Sequence, residues 1–167
     1  SIDAAHDEEF LDLLARSGCM GVLIGFESLD KDNLLLMNKG FNAMQGGAAQ
    51  ALANLRRYRI PVYATFVFGY EHDTPASFEQ AVAFAIEQRC YIAAFNHLTP
   101  FPGTPLYTRL RESGRLRFDA WWLDQAYRYN DLPFYPARMS HDEVTRLCVE
   151  ARQKFYSWKS IFQRGLD

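Results

Sequence analysis

The chain has 167 residues, enough for one domain or for part of a larger one. Hydrophobic residues make up 49% and charged residues 23% of it, which excludes a disordered, collagen-like or low-complexity protein. With 18 basic and 20 acidic residues and a net charge of −2, nothing predicts a nucleic-acid partner or an anionic membrane surface.

Neither the cysteines nor the apolar runs predict a secreted or membrane-spanning protein. Cys19, Cys90 and Cys148 are an odd number with no short spacing, so we expect no disulfide framework and a reducing, cytoplasmic location. The apolar run at residues 60–70 is shorter than the roughly 18 apolar residues that a membrane span needs. Residue 1 is serine and no secretory signal follows it, so we expect an excised or processed piece.

The apolar pattern predicts three strands that alternate with helices. Each predicted strand is a continuous apolar run, as is typical of strands covered on both faces in a parallel sheet. In chain order the expected elements are a helix over residues 7–17, a strand over 20–26, a helical stretch near 34–37, a helix over 45–59, a strand over 60–69, a helix from 74, a strand over 91–98 and a helix over 104–114.

The remaining residues are expected to be mainly helical. A short helix is predicted over residues 121–128. Ser140 begins a capping box that opens one long final helix. The apolar stripe of this helix reaches Trp158, while Arg152 and Lys154 are expected on its solvated side.

This order of elements predicts an α/β fold. Right-handed crossovers place the three strands side by side and parallel. Three strands are few for such a sheet, and both of its edges would expose unpaired N–H and C=O groups beside apolar residues. We therefore expect further strands on the N-terminal side, and we expect the chain alone to self-associate.

The carboxyl ends of the predicted strands select the candidate binding loops. Ligands bind at these ends in parallel α/β sheets and barrels. The three loops lie at residues 25–28, 69–74 and 96–105.

These loops carry short motifs whose order and spacing match those of one enzyme family. The motifs are Gly25-Phe26-Glu27-Ser28 with Leu36-Met37-Asn38-Lys39-Gly40, Phe66-Val67-Phe68-Gly69 with Asp73-Thr74, and Pro100-Phe101-Pro102-Gly103-Thr104-Pro105-Leu106-Tyr107. Together they resemble the radical S-adenosylmethionine (SAM) enzymes. Within that family they are most similar to the branch that pairs its barrel with an N-terminal cobalamin-binding domain.

The resemblance implies a partial TIM-like (β/α) barrel. This chain would hold the last three of its six β/α units over residues 1–116, followed by a helical extension over residues 117–167 that packs on the barrel. The family holds a [4Fe–4S] cluster with a Cys-x3-Cys-x2-Cys motif, which this sequence lacks. The cluster ligands are therefore expected outside this chain, in a missing N-terminal half-barrel, with no metal ligand here and no activity of the chain alone.

The first loop is implied to contact SAM. Glu27 or Ser28 would hydrogen-bond the ribose or the methionine part, and Lys39 would pair with the SAM carboxylate. The residues themselves leave plainer roles open. Ser28 or Asp30 could cap the next helix, and Lys39 could be a solvated residue at a helix C-terminus.

The second and third loops are implied to lie against the adenine. Gly69 would let the backbone approach the ring closely, although a turn glycine is an equal alternative. Leu98 and Phe101 would pack on the ring. The family's usual Glu is replaced by Asp73, and helix capping by Asp73 or Thr74 is favoured over a ligand contact. Trp121 is expected in the core or in an interface.

The leading hypothesis is therefore a piece of a radical SAM enzyme. It would supply pocket residues for 5′-deoxyadenosyl radical chemistry on a small-molecule substrate, which would be methylated, cyclised or rearranged, with cobalamin as a candidate methyl carrier. No catalytic residue is assigned. The alternatives are a non-enzymatic α/β interaction module and a cluster-free TIM-barrel fragment that uses Glu27 or Glu71 as acid or base.

Overall fold

The computed structural model describes residues 2–36, 47–128 and 130–165. After a short 3-10 helix, Ile2–His6, strands alternate with helices as predicted. The elements are α1 (Glu8–Arg16), β1 (Val22–Glu27), α2 (Lys31–Leu36), α3 (Gly47–Arg57), β2 (Val62–Phe68), α4 (Pro75–Glu87), β3 (Ile92–His97), α5 (Pro105–Glu112), α6 (His141–Phe155) and α7 (Trp158–Gly165). In the described ranges no helix is both long and apolar enough to cross a membrane.

The three strands form one parallel sheet in the order β1-β2-β3. Ile24 pairs with Ala64, which in turn pairs with Ala93. Because consecutive strands are neighbours and their crossovers are right-handed, the connecting helices are expected on one face of the sheet. The predicted α/β class with parallel strands is confirmed.

The covered face of the sheet is an aromatic core. Phe26, Phe66 and Phe95 lie side by side across the three strands, with ring centroids 5.6 and 5.5 Å apart, and all three are buried. Phe84 of α4 and Phe155 of α6 pack on this row from the helix layer. Stacked and edge-to-face contacts of this kind add to the stabilisation from burial, by about 0.5–1.5 kcal/mol per pair.

The opposite face of the sheet is open among the described residues. Leu23, Tyr63 and Ile92 lie on it and are 65%, 37% and 38% exposed. The prediction of strands covered on both faces is therefore wrong for the described part of the chain. The apolar runs were continuous because both faces carry apolar side chains, but only one face is packed against helices.

The C-terminal region differs from the prediction in two places. Residues 121–128 form turns rather than a helix. The predicted single final helix is divided into α6 and α7, because the Ser157 side chain accepts a hydrogen bond from the Ser160 backbone N–H, 3.3 Å away, and so begins a new helix. Trp158 consequently leaves the buried stripe and is 76% exposed.

The two edges of the sheet are unequal. At β3 the Tyr156 hydroxyl accepts a hydrogen bond from the Ala93 N–H (3.2 Å) and lies 3.0 Å from the Ala93 carbonyl oxygen, to which it donates. Arg164 donates to the carbonyls of Cys90 and Tyr91 at 2.8 and 3.3 Å. Among the described strands, β1 pairs with β2 alone. The prediction of two unprotected edges thus fails at β3, while self-association through β1 stays a prediction.

Replacing Tyr156 with phenylalanine is expected to lower the free energy of unfolding by about 1–2 kcal/mol, because it leaves both backbone groups of Ala93 without this partner. Urea denaturation measures the change. Tyr135→Phe is the matched control, since Tyr135 is 51% exposed and its hydroxyl makes no hydrogen bond to a described residue. Equal stability of the two variants would contradict the bracing role of Tyr156.

The domain boundary at residues 116/117 stays a prediction. Leu116 forms an isolated antiparallel bridge with Phe134, which is buried. Leu132, Phe134, Val144 and Phe155 belong to the same core cluster as the strands. The C-terminal region therefore shares the core of the β/α units.

Candidate functional site

The carboxyl ends of the three strands border a cleft of about 590 Å³. Glu27, Val67 and Asn96 line it from β1, β2 and β3, and Leu98 and Phe101 line it from the loop after β3. Its size is within the range of small-molecule sites. Three predicted site residues, Glu27, Leu98 and Phe101, are thus brought together, whereas Ser28 and Gly69 are not among the lining residues.

Glu27 occupies a strained turn at the mouth of the cleft. Its φ is 63°, and the Ser28 N–H donates to the Phe26 carbonyl across it at 2.8 Å, which is the hydrogen bond of a γ-turn. The β1–β2 register also shifts between Gly25 and Glu27. A Cβ built on Gly25 would lie 2.8 Å from the Glu27 Oε1 and 3.6 Å from the Thr65 Oγ1. The bulge therefore places the carboxylate over the open face, and bulges and strained residues of this kind cluster at functional sites.

Ser28 is buried in the loop that follows this turn. Its Oγ accepts hydrogen bonds from the Asp30 N–H (3.1 Å) and from the Asn33 side-chain amide (3.4 Å). The cap of α2 comes from Asp30, whose carboxylate accepts from the Asn33 N–H at 2.9 Å. Ser28 thus braces the loop, and its contact with SAM stays a prediction.

A buried polar network joins the first loop to the second. The Asn33 amide donates to the Asp73 Oδ1 at 2.8 Å, and the Asn33 Oδ1 accepts from the His72 N–H at 3.1 Å. The Asp73 Oδ2 accepts from the backbone N–H groups of Gly69 and Tyr70, at 2.8 and 3.0 Å. Asn33 and Asp73 are each 1% exposed. The network therefore fixes the positions of two strand-end loops relative to each other.

Asp73 titrates at a higher pH than an ordinary aspartate. Burial raises its pKa to about 6, against the lowering effect of the Gly69 and Tyr70 N–H groups. The carboxyl is therefore ionised at neutral pH and matched to its donors. Of the two residues predicted to cap α4, Thr74 is the N-cap residue, and its N–H donates to the Ser77 Oγ at 3.1 Å. The Asp73 carboxylate instead accepts from the Gly69 and Tyr70 N–H groups.

The absence of a side chain at Gly69 lets Phe134 and Leu98 pack close to the backbone. Its φ is +111°, and a Cβ there would lie 3.3 Å from the Phe134 Cζ and 3.6 Å from the Leu98 Cβ. The space left by the missing side chain is thus bordered by Phe134 and Leu98. Backbone approach of Gly69 to an adenine stays a prediction.

An aromatic wall closes one side of the cleft. The wall consists of Phe101, Trp121 and Tyr127. The ring centroid of Trp121 lies 6.3 Å from that of Phe101 and 5.1 Å from that of Tyr127. The Trp121 Nε1 donates to the Pro100 carbonyl at 3.1 Å and so ties the two segments together. Sequence reasoning placed Trp121 in the core or an interface. The density of aromatic residues around Trp121 was the one available signal for this wall.

Two titratable rings at the cleft are uncharged at neutral pH. Burial raises the pKa of Tyr70, with smaller contributions from Glu27 and Asp73. Burial lowers the pKa of His97, against smaller raising effects of the Leu98 and Asn130 backbone. The His97 Nδ1 is buried and has no hydrogen-bond partner among the described residues. Neutral His97 thus offers one unused polar atom.

Arg152 lies at the cleft rather than on the solvated side of its helix. It is half-buried, and its guanidinium donates to the Asn96 Oδ1 at 3.3 Å. Helical periodicity predicted Arg152 on the outer face of the helix. The packing of α6 against β3, which brings Arg152 to the cleft, depends on distant contacts that periodicity does not show. Lys39, the predicted partner of the SAM carboxylate, lies outside the described residues.

The cysteines do not suit an iron–sulfur cluster. Cys90 and Cys148 are buried, and burial raises their pKa values to about 11 and about 12, so neither is a thiolate at neutral pH. Over residues 2–36, 47–128 and 130–165, no three His, Cys, Asp or Glu side chains group as metal ligands would. The described residues therefore do not fit a [4Fe–4S] cluster, and we derive no step through one.

Comparisons with known proteins find methyltransferases and a cyclase. The chain is 32% identical over 98% of its length to a bacteriochlorophyllide d C-12(1)-methyltransferase of Chlorobaculum tepidum, of which it covers 35%. It is 24% identical over 98% to a hopanoid C-2 methylase of Rhodopseudomonas palustris, covering 29%, and 24% identical over 96% to an anaerobic magnesium-protoporphyrin IX monomethyl ester cyclase of Cereibacter sphaeroides, covering 25%. No family model matches the chain.

These relatives are radical SAM-family enzymes, the family that the loop motifs resemble. The chain spans about a third of the length of the curated relatives it matches. What the similarity supports is the general class, radical SAM methyltransferases and cyclases.

Proposed function

We propose that this chain forms the part of a radical SAM methyltransferase or cyclase that contacts SAM and the substrate. The observation that carries the proposal is the cleft at the carboxyl ends of β1, β2 and β3. It gathers Leu98 with Glu27 and Phe101, which come from two of the three motifs and are 74 positions apart in the sequence. A ligand site at this end of parallel strands is the rule in β/α barrels.

The chemistry of the cleft suits a sulfonium nucleoside. The Glu27 carboxylate accepts hydrogen bonds of the kind that ribose hydroxyls or an ammonium group donate. Phe101 is 59% exposed and adjoins Trp121, so its ring is available to pack on a base. SAM, when bound, supplies the alkyl radical or the methyl group; the residues of this chain bind and orient it.

The comparisons favour a large apolar substrate. Two of these relatives are named for bacteriochlorophyllide or magnesium-protoporphyrin, which are tetrapyrroles, and one for a hopanoid. The aromatic wall of Phe101, Trp121 and Tyr127 suits a flat ring system. We therefore propose methylation or cyclisation of a tetrapyrrole-like substrate, with the cluster, and cobalamin as a methyl carrier, held outside this chain.

Reconstitution of the complete gene product tests the proposal. After anaerobic treatment with iron and sulfide, it is expected to show cluster absorbance that responds to SAM, and to form 5′-deoxyadenosine when reduced with dithionite. The 167-residue chain treated in parallel is expected to stay colourless, because its described cysteines do not fit a cluster. A complete gene product that also stays colourless would refute the enzyme assignment.

The two alternatives have unequal support. The exposed apolar residues Leu23, Tyr63 and Ile92 on the open face favour an interaction module. A complete gene product that stays colourless would support the interaction-module alternative. For acid–base chemistry without a cluster, Glu71 is poorly placed, because it pairs with Arg115 at 2.7 Å and does not line the cleft. Glu27 is then the remaining candidate.

A further inference from the structure

Arg152 brings a positive charge to the cleft from outside the strands. It lies in the last turn of α6 and reaches the Asn96 side chain at the carboxyl end of β3. Asn96 and Val67 are on the open face of the sheet, as is Glu27, and all of them line the cleft together with Arg152. None of the three strand-end motifs contains Arg152, so the motifs give it no role.

No carboxylate neutralises Arg152 within the described residues. Its hydrogen-bond partner there is the neutral amide oxygen of Asn96. Arg146, six residues earlier on the same helix, instead forms ion pairs with Glu143 and Glu150 at 4.0 and 2.6 Å. A guanidinium has five N–H donors, and the one contact with Asn96 leaves donors for a bound anion.

Arg152 and Glu27 contact different parts of whatever fills the cleft. Glu27 ends β1, and the Asn96 that holds Arg152 lies near the end of β3, two strand spacings or about 10 Å away. Because His97 and Tyr70 are neutral, Glu27 and Arg152 are the charged side chains of the described lining at pH 7. The cleft therefore suits an aromatic or flat apolar body that carries one acidic group.

We propose that Arg152, held by Asn96, binds a carboxylate of the ligand in this cleft and selects the acid over its ester. A carboxylate matches the planar fork of a guanidinium, and a single arginine matches a single negative charge. The inference rests on the proposed function for the identity of the ligand. The carboxylate is that of the substrate or that of the methionine part of SAM.

Binding measurements on the complete gene product distinguish the two sources. Zinc protoporphyrin IX and its dimethyl ester, in mild detergent, differ only in their acidic groups; SAM and decarboxylated SAM differ only in the carboxylate of the methionine part. Arg152→Gln is expected to weaken binding of the acid in one of these pairs at least tenfold and to leave its partner within twofold. Arg152→Lys, which keeps the charge but not the fork, is expected to lose less.

Arg146→Gln is the matched control on the same helix and is expected to change neither pair. If Arg152→Gln weakens binding of the porphyrin acid alone, Arg152 binds the substrate carboxylate. If it weakens binding of SAM alone, Arg152 binds the methionine carboxylate. Equal losses for both members of each pair, no loss at all, or a wild type that binds none of the four probes would overturn the proposal. Failure of the proposed function shows separately, as a complete gene product that forms no 5′-deoxyadenosine.

Discussion

Replacing Asp73 with alanine is expected to lower the free energy of unfolding by about 3 kcal/mol at pH 7. The substitution removes the acceptor of three donors, the buried Gly69 N–H and Asn33 side-chain amide and the partly buried Tyr70 N–H. A buried donor without a partner retains its desolvation penalty of about 1–3 kcal/mol, and three of them outweigh the relief of removing a buried charge. Urea denaturation measures the loss.

Asp12→Ala is the control for this change. Asp12 is an exposed aspartate that pairs with an exposed Arg16 at 3.4 Å, so its removal is expected to cost no more than about 0.5 kcal/mol. If Asp73→Ala and Asp12→Ala were equally stable, the network would have no structural role. A cycle with Asn33→Ala should show strong coupling to Asp73, since the two share a hydrogen bond of 2.8 Å.

The same carboxyl gives stability a pH dependence of defined sign. Burial raises the pKa of Asp73 from 3.8 to about 6, so the folded protein retains a proton that the unfolded chain has released. Its contribution to stability is full below about pH 4, falls as the pH rises through about 6, and is constant above that. Relative to Asp73→Asn, wild type should lose stability over this interval; a constant difference would contradict the raised pKa.

Replacing Glu27 with glutamine in the complete gene product is expected to weaken SAM binding about tenfold or more, because a hydrogen bond to a charged group contributes about 1.5–3 kcal/mol. The γ-turn and the bulge hold this carboxylate over the open face of the sheet, at the cleft. Isothermal titration calorimetry measures the dissociation constant. Glu79→Gln, at an exposed position of α4, is the matched control.

Gly25→Ala tests the role of Glu27 without removing the charge of its carboxylate. The added methyl group would lie 2.8 Å from the Glu27 Oε1, so the carboxylate must move. We expect a loss of SAM affinity similar to that of Glu27→Gln with the free energy of unfolding little changed. Gly165→Ala, where nothing lies within 4 Å of the new Cβ, controls for the substitution type. Undiminished SAM affinity in both Glu27→Gln and Gly25→Ala would remove Glu27 from the site.

Local signals predicted most of the fold. The Thr104 hydroxyl accepts from the Tyr107 N–H and the Ser140 hydroxyl from the Glu143 N–H, so two helices begin where capping chemistry placed them. Continuous apolar runs located all three strands to within two residues. Position at the strand ends then brought Glu27, Leu98 and Phe101 to one cleft, because parallel strands end at the same edge of a sheet.

Features that depend on distant contacts were not predictable. Asn33 and Asp73 are 40 positions apart, and nothing in either sequence neighbourhood indicates that the other is its partner. Arg152 faces Asn96 across 56 positions, and helical periodicity alone assigned it to solvent. The break between α6 and α7 followed from Ser157, a weak local signal inside a long amphipathic pattern.

The bracing of β3 by Tyr156 and Arg164 gives the sheet a direction of growth. These side chains already satisfy backbone groups from Cys90 to Ala93 on the outer side of the strand, so an incoming segment would have to displace them before it could form a ladder there. Among the described residues, no side chains of this kind have to be displaced for a strand to pair with the outer edge of β1. Any added strand, whether from the same polypeptide or from a neighbour, would pair with β1, and β3 would remain the edge strand.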